Sequence, residues 1–251
     1  MNCRHGKQFH MNLVTRLAVC LLALLPHVGH AGNFAVSPIR LDLGRSARTG
    51  SVTVKNNGEQ PIQLQLNLTE WTQDEEGKDR YDDSADLIYF PKVMVLEKAE
   101  ERIVRVGTRI PATDREKTYR LFIREIPQPN KPGGTKVSVA IRFGLPVFVS
   151  PIKSEYQGQI EQISLSGGAL TARVSNTGNT HFLIQSVEIR SRDRLIRELP
   201  GWYLLAGAAR DYKAEIKPAA CKGLDELEVL VKTNKTTLRR GITVNPAMCE
   251  P

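Results

Sequence analysis

Histidine and cysteine are scarce in this chain of 251 residues, and most of them crowd into the first 31. His5, His10, His27 and His30 lie there with Cys3 and Cys20, so only His181, Cys221 and Cys249 stand beyond. One histidine excludes the two-His, one-Cys set of a blue-copper centre and the two or three His of most catalytic zinc sites. A serine hydrolase would have only His181 for its base, and the chain contains no Gly-x-Ser-x-Gly elbow. Phosphate-cradling glycine loops are also absent. The longest apolar run, residues 17–25, is nine residues, well short of the roughly 20 that cross a bilayer. After residue 31 no stretch sustains helical spacing over three turns. Enzyme, metal and membrane-inserted classes therefore fall away, and no cofactor is expected.

What is present begins with an export signal. Arg4, Lys7 and Arg16 precede the apolar run with no acid among them, and Pro26 and Gly29-His30-Ala31 follow it. That order is the charged, apolar and cleavable pattern of a secretory signal peptide over 1–31. Met11 is an alternative start, since residues 11–31 keep all three parts. Val19 before Cys20 is too large for a good lipoprotein site, so an exported protein without a lipid anchor is expected. Cleavage after Ala31 leaves 220 residues with 32 basic and 27 acidic side chains, a net charge of +5. The basic residues are scattered among acids and form no stripe, which argues against nucleic acid as a partner. Two cysteines in an exported chain suggest one disulfide, Cys221–Cys249, acting as a staple. Closing that loop of about 28 residues stabilises by roughly 3.5 kcal/mol in the chain-entropy description.

The period along the chain is two. Ile62, Leu64, Leu66 and Leu68 alternate with Gln63, Gln65, Asn67 and Thr69, and Tyr119, Leu121 and Ile123 flank Arg120 and Phe122. Such runs have one apolar face, as antiparallel strands covering a core do. Asn56-Asn57-Gly58-Glu59, Glu75-Glu76-Gly77 and Pro132-Gly133-Gly134 separate them as turns. Seven strands are predicted up to residue 149: 34–43, 51–56, 62–71, 87–95, 102–107, 118–126 and 136–149. Pro151 makes a stiff joint, and seven more follow at 159–165, 170–175, 182–189, 195–199, 211–216, 226–231 and 241–244. The fold class is all-β, two sandwiches over 32–150 and 151–251.

Residues 136–149 stand out. Val137, Val139, Ile141, Phe143, Leu145, Val147 and Val149 fall on one face at strict alternation. At about 3.3 Å per residue such a strand spans roughly 40 Å, far beyond the usual five or six residues. Pro146 has no N–H, which places this part at an edge or a bulge. A long exposed edge is ordinarily blunted, and is tolerable where pairing with a partner's strand is the task.

The residues around that strand resemble the PapD-like periplasmic chaperones of fimbrial chaperone–usher pathways. Pro111-Ala112-Thr113-Asp114-Arg115-Glu116 is similar to the family's Pro-x-Asp-Arg-Glu turn, with one residue more. The strand that follows closes in the family's Arg-Glu-Ile-Pro, here residues 124–127. Val36-Ser37-Pro38-Ile39-Arg40, Val54-Lys55-Asn56-Asn57, Trp71 and Val147-Phe148-Val149-Ser150-Pro151 support the match, and residues 174–179 and 201–212 match more loosely. The resemblance implies two immunoglobulin-like domains in an L-shaped arrangement. It implies a periplasmic chaperone that lends an edge strand to exported pilus subunits and hands them to an outer-membrane usher. A free chaperone of this kind can cap itself as a homodimer. The alternative is a two-domain secreted adhesion or receptor-binding module that shares the sandwiches but lends no strand.

On this resemblance the donor strand is Val137, Val139, Ile141, Phe143 and Leu145. The family anchors the subunit's C-terminal carboxylate between two basic side chains. Arg40 matches the first, Pro146 stands in place of the second, a lysine, and Arg142 is the substitute on the same polar face. Arg124 and Arg105 are lesser candidates. Ser150 stands where many relatives have an arginine, so Glu116 lacks that partner. These departures resemble the archaic branch of the family. The acids Asp74, Glu75, Glu76, Asp79, Asp82, Asp83 and Asp86 read as a solvated loop, and Trp71 and Trp202 as core or rim packing.

Overall fold

A computed structural model describes residues 34–127 and 140–250. The expected signal peptide and the donor residues Val137 and Val139 lie outside the described residues. Among these no helix is long and apolar enough to cross a membrane.

Four sheets make two immunoglobulin-like sandwiches. In the first, one sheet runs β1 (Phe34–Ser37), β3 (Thr49–Asn56), β8 (Glu101–Thr108), β6 (Leu87–Phe90). The facing sheet runs β2 (Leu41–Leu43), β10 (Arg142–Val149), β9 (Lys117–Ile126), β4 (Ile62–Gln73), β5 (Asp79–Asp83), with β7 (Val93–Leu96) also on β4. The second sandwich pairs β11 (Gly158–Ser166), β12 (Ala169–Asn176) and β16 (Ala209–Glu215) in one sheet. Its other sheet is β14 (Arg194–Pro200), β13 (Phe182–Ser191), β17 (Glu226–Thr233) and β18 (Thr237–Thr243), with β15 (Tyr203–Leu204) on β13.

Alternation does what the pattern requires. Leu64, Leu66, Leu68, Tyr119, Leu121, Ile123, Leu145 and Val147 close the first core, while Asn67, Thr69, Arg120 and Phe122 face the other way. In the second core Cys221 and Cys249 are fully buried and joined, with Cα atoms 5.6 Å apart. They tie the single helical turn Pro218–Cys221 to the 3-10 turn Pro246–Cys249.

Three predicted strands differ in extent. Residues 34–43 form two strands, because cis-Pro38 turns the chain from one sheet to the other. Residues 87–95 divide likewise at cis-Pro91, β6 joining one sheet and β7 the other. Pairing of the long strand begins at Arg142, whereas Ala140 and Ile141 are not in a strand. Asp79–Asp83 of the acidic stretch, expected as loop, pair with β4 as β5, an edge whose charges blunt further pairing. The short β15 and the turns Pro218–Cys221 and Pro246–Cys249 likewise lie outside the predicted elements.

Candidate strand-pairing edge and cationic cleft

β10 has two different margins. Toward β9 its register is unbroken from Arg142↔Arg124 to Val149↔Lys117, so Pro146 makes no bulge. The Glu125 N–H donates to the Ile141 carbonyl (3.0 Å), which turns the main chain of odd-numbered residues to β9. The Ser150 N–H donates to Leu43 (2.9 Å), so even-numbered residues address the other margin. There β2 pairs in parallel with Val147–Val149 and then stops, because the chain before Leu41 has left for the other sheet. Among the described residues no strand covers the margin beside Arg142–Pro146. Pro146 lacks its N–H on that uncovered side, where the β9 ladder loses nothing.

The two faces of β10 differ as well. Leu145, Val147 and Val149 are buried in their own core, and Phe143 packs against it half-buried. Of the donor side chains read from the sequence, Ile141 and Phe143 therefore keep exposed surface, and Leu145 is fully enclosed by its own domain. The opposite face carries Arg142, Gly144, Pro146 and Phe148 and runs into the cleft where Phe148 meets His181 and Tyr203 of the second sandwich.

That cleft is cationic. Arg40 is exposed, paired with Asp42 at 2.8 Å, and lies 5.8 Å from the Phe148 ring centroid. Arg142 stacks on Phe122 at 3.7 Å, over the gap left by Gly144, where a Cβ would come 3.0 Å from the ring. Arg124 donates to Gln65 in the same row, whereas Arg105 belongs to β8 on the other sheet.

The residue missed from sequence is Arg120. It lies across the sheet from Pro146 on one side and Thr69 on the other, the row where the family's lysine is expected. Its guanidinium is 3.9 Å from the Trp71 ring centroid, and Nη1 donates to the Gly144 carbonyl on the uncovered margin (3.1 Å). The residue is 5% exposed, and its Nε and Nη2 have no hydrogen-bond partner among the described residues. A buried cation with idle donors is costly, and its spare N–H groups suit a carboxylate. The signal was present in the sequence, an arginine within an apolar strand beside Tyr119 and Leu121, but alternation alone consigns it to a polar surface.

Glu116 also has a partner. His181 of the second sandwich offers Nδ1 at 2.7 Å and its backbone N–H at 2.9 Å to Oε2, and its ring stacks on Phe148 at 3.7 Å. His181 thus gives Glu116 the partner that Ser150 does not supply. Trp71 is enclosed with Phe148 and Leu205 in a separate cluster at this junction, and Trp202 sits on its rim.

Residues 33–155 match the family of pili and flagellar-assembly chaperones, PapD N-terminal domain. A probable fimbrial chaperone, EcpE of Escherichia coli O18:K1:H7 (strain IHE3034 / ExPEC), is 27% identical over 128 residues. The alignment covers 49% of this chain and spans only half the length of that relative. Among solved structures, a chain of the CsuC–CsuE chaperone–tip adhesion subunit complex of archaic Csu pili of Acinetobacter baumannii superposes with TM-score 0.63. It shares 18% identity, over 84% of this chain and 99% of that one. A chain of the SafA pilin–SafB chaperone complex of Salmonella enterica gives 0.56 at 17% identity, over 84% and 97%. At such identities the likeness is one of fold. Sequence match, fold and the Asp114-Arg115-Glu116 junction agree, and residues 33–155 belong to the PapD-like family of pili and flagellar-assembly chaperones.

Proposed function

We propose that this protein is a periplasmic chaperone that caps pilus subunits by lending them β10 and the residues ahead of it, then releases them to an outer-membrane usher. The observation that carries this reading is the uncovered margin beside Arg142–Pro146, ending at a buried, half-satisfied arginine. An incoming strand on that margin lies end to end with β2. If it runs parallel to β10, as β2 does, its C-terminus stops where Arg40 and Arg120 converge in the cleft. A chain-terminal carboxylate is favoured there and an amino terminus is not. Ile141 and Phe143, with Val137 and Val139 ahead of them, would fill an incomplete sandwich, each contributing roughly 1.5–3 kcal/mol if fully buried. Self-capping as a homodimer would use the same margin. No covalent bond changes, so the protein is a binder and not an enzyme.

The test is capture of a cognate pilus subunit by co-purification. Ile141→Asp is expected to keep the thermal transition of the free protein within a degree or two yet lose the subunit, since the half-buried side chain lies outside the core cluster. Among the cationic residues, capture should fall most in Arg120→Ala, next in Arg40→Ala and least in Arg142→Ala. Undiminished capture by Ile141→Asp would count against strand lending. A reversed order would displace the anchor to the exposed pair.

A further inference from the structure

The Arg120 seat is closed from the cleft side. Three rings surround the guanidinium: Trp71 at 3.9 Å, Trp202 at 5.5 Å and Tyr203 at 5.9 Å to their centroids. Trp71 is fully buried and Tyr203 half-buried, whereas Trp202 is 39% exposed and forms the outer wall. Behind it, Nε and Nη2 are shielded from solvent and have no hydrogen-bond partner among the described residues, and the Tyr81 side chain stands close to the guanidinium.

We propose that Trp202 is a side-chain gate over this seat and that Asp79 is its catch. The inference rests on the carboxylate-anchor reading above and adds the control of access to it. The backbone at the gate is fixed. Ile184 N–H donates to the Trp202 carbonyl (3.0 Å) and Gly201 N–H to the Gln185 carbonyl (3.3 Å). A Cβ on Gly201 would fall 1.9 Å from the Ile184 oxygen, so the chain lies close against β13 and is tied to it by both hydrogen bonds. The indole is held differently. Its one hydrogen bond runs from Nε1 to Asp79 Oδ2 (2.9 Å), across to the other sandwich. Asp79 is steadied by Gln73 Nε2 on Oδ1 (3.0 Å) and by the Tyr81 hydroxyl on Oδ2 (3.3 Å).

Rotation about the Trp202 side chain alone therefore separates two states. Closed, the indole covers the guanidinium. Open, Nε and Nη2 face the cleft at the end of the uncovered margin, where a chain-terminal carboxylate would arrive. The opening is local and requires no movement of one sandwich against the other.

Arginine-directed labelling of the full-length free protein with phenylglyoxal, read by peptide mass spectrometry, tests this without any subunit. A minor open state populated at 0.1–10% predicts Arg120 labelling at least about tenfold slower than exposed Arg142. Trp202→Ala should remove most of that protection. Asp79→Ala, which removes the acceptor, and Trp202→Phe, which removes the Nε1 donor and keeps a ring, should each give a partial rise. Arg210, held at the domain junction, should label at an unchanged rate in all three. Continued protection of Arg120 in folded Trp202→Ala would overturn the gate. A parallel rise at Arg210 would also overturn it, because whole domains would then be parting. Loss of strand lending would leave these rates as expected, so the two readings fail separately.

Discussion

Arg120 concentrates the conflict between stability and binding in one side chain. Its guanidinium is buried with Nε and Nη2 unpaired, and each idle donor costs about 1–3 kcal/mol. Against this stand one neutral acceptor at Gly144, worth about 1 kcal/mol, and stacking on Trp71, worth about 1–2 kcal/mol. Arg120→Met keeps the length of the chain and replaces the cation–π contact by a sulfur–aromatic one, while removing both idle donors and the charge. The free protein should therefore gain about 1 kcal/mol, a rise of a few degrees in the unfolding midpoint, and lose subunit capture together with it. A drop in midpoint would mean that the arginine is structural. Arg40 offers the contrast: its pair with Asp42 is exposed on both sides, and such pairs contribute about 0–1 kcal/mol, so its removal should leave the midpoint alone.

At the scale of the strand, β10 is shaped by two residues that strands usually avoid. Gly144 makes room for Phe122, and Pro146 spends its missing N–H on the uncovered margin. Pro146 is also the point where the family's lysine is absent, and on the proposed reading its cross-strand neighbour Arg120 takes that place. Pro146→Lys should therefore fail to restore a family-like anchor. It sets a second cation into a buried row beside Arg120, at a cost of about 2 kcal/mol, eased if the lysine reaches the margin. In the Arg120→Met background the same change should cost less than half as much, and a double-mutant cycle in urea reads the coupling. Additive losses would show that the two positions do not share a site. How far the sequence already disclosed this element follows from what alternation can carry. The core face of β4, β9 and β10 was legible because each obeys a period of two over many residues. The breaks at Pro38 and Pro91 were not, since an apolar run reads the same whether it stays in one sheet or crosses to the other. β5 escaped because an edge strand facing solvent on both sides has no apolar period, and its Asp-Arg-Tyr-Asp-Asp reads as loop. Arg120 and His181 were present as residue types, but their partners Trp202 and Glu116 are brought up by the other sandwich, 82 and 65 residues away in the chain.

For the whole molecule, the cleft exists only while the two sandwiches hold their angle, and the β4–β5 hairpin is one of the seams that hold it, beside the Glu116–His181 contact and the Trp71–Phe148–Leu205 cluster. Gln73 Nε2 donates to the Tyr203 carbonyl (2.9 Å) and its Oε1 accepts from Leu205 N–H (3.0 Å). Beyond it, Arg173 reaches the Glu75 carbonyl (3.1 Å) and Arg210 Nε the Gly77 carbonyl (3.1 Å). The hairpin keeps its own form through Asp74, whose carboxyl is held below the usual carboxylate range, first by the Lys78 backbone N–H and further by Arg80. Gly77 is the closest point of approach. Its φ is +75°, and a Cβ there would fall 2.7 Å from both the Ala209 oxygen and the Arg210 Cβ. Backbone cannot yield as a flexible side chain would, so Gly77→Ala must either strain the turn or push the hairpin off the second sandwich. A left-handed turn lost to alanine costs about 1 kcal/mol, and the clash adds to it, for about 2 kcal/mol in all. Each core is untouched by the change, so the loss should appear at the seam. In calorimetry the variant should unfold in two resolved transitions where the parent shows one, and X-ray scattering should report a larger radius of gyration. Because Arg120 is walled by Trp202 and Tyr203 of the second sandwich, parting the seam should also raise phenylglyoxal labelling of Arg120 and Arg210 together, unlike Trp202→Ala, which raises Arg120 alone. A single transition, unchanged scattering and unchanged labelling would show that the Glu116–His181 contact and the Trp71–Phe148–Leu205 cluster hold the angle without the hairpin.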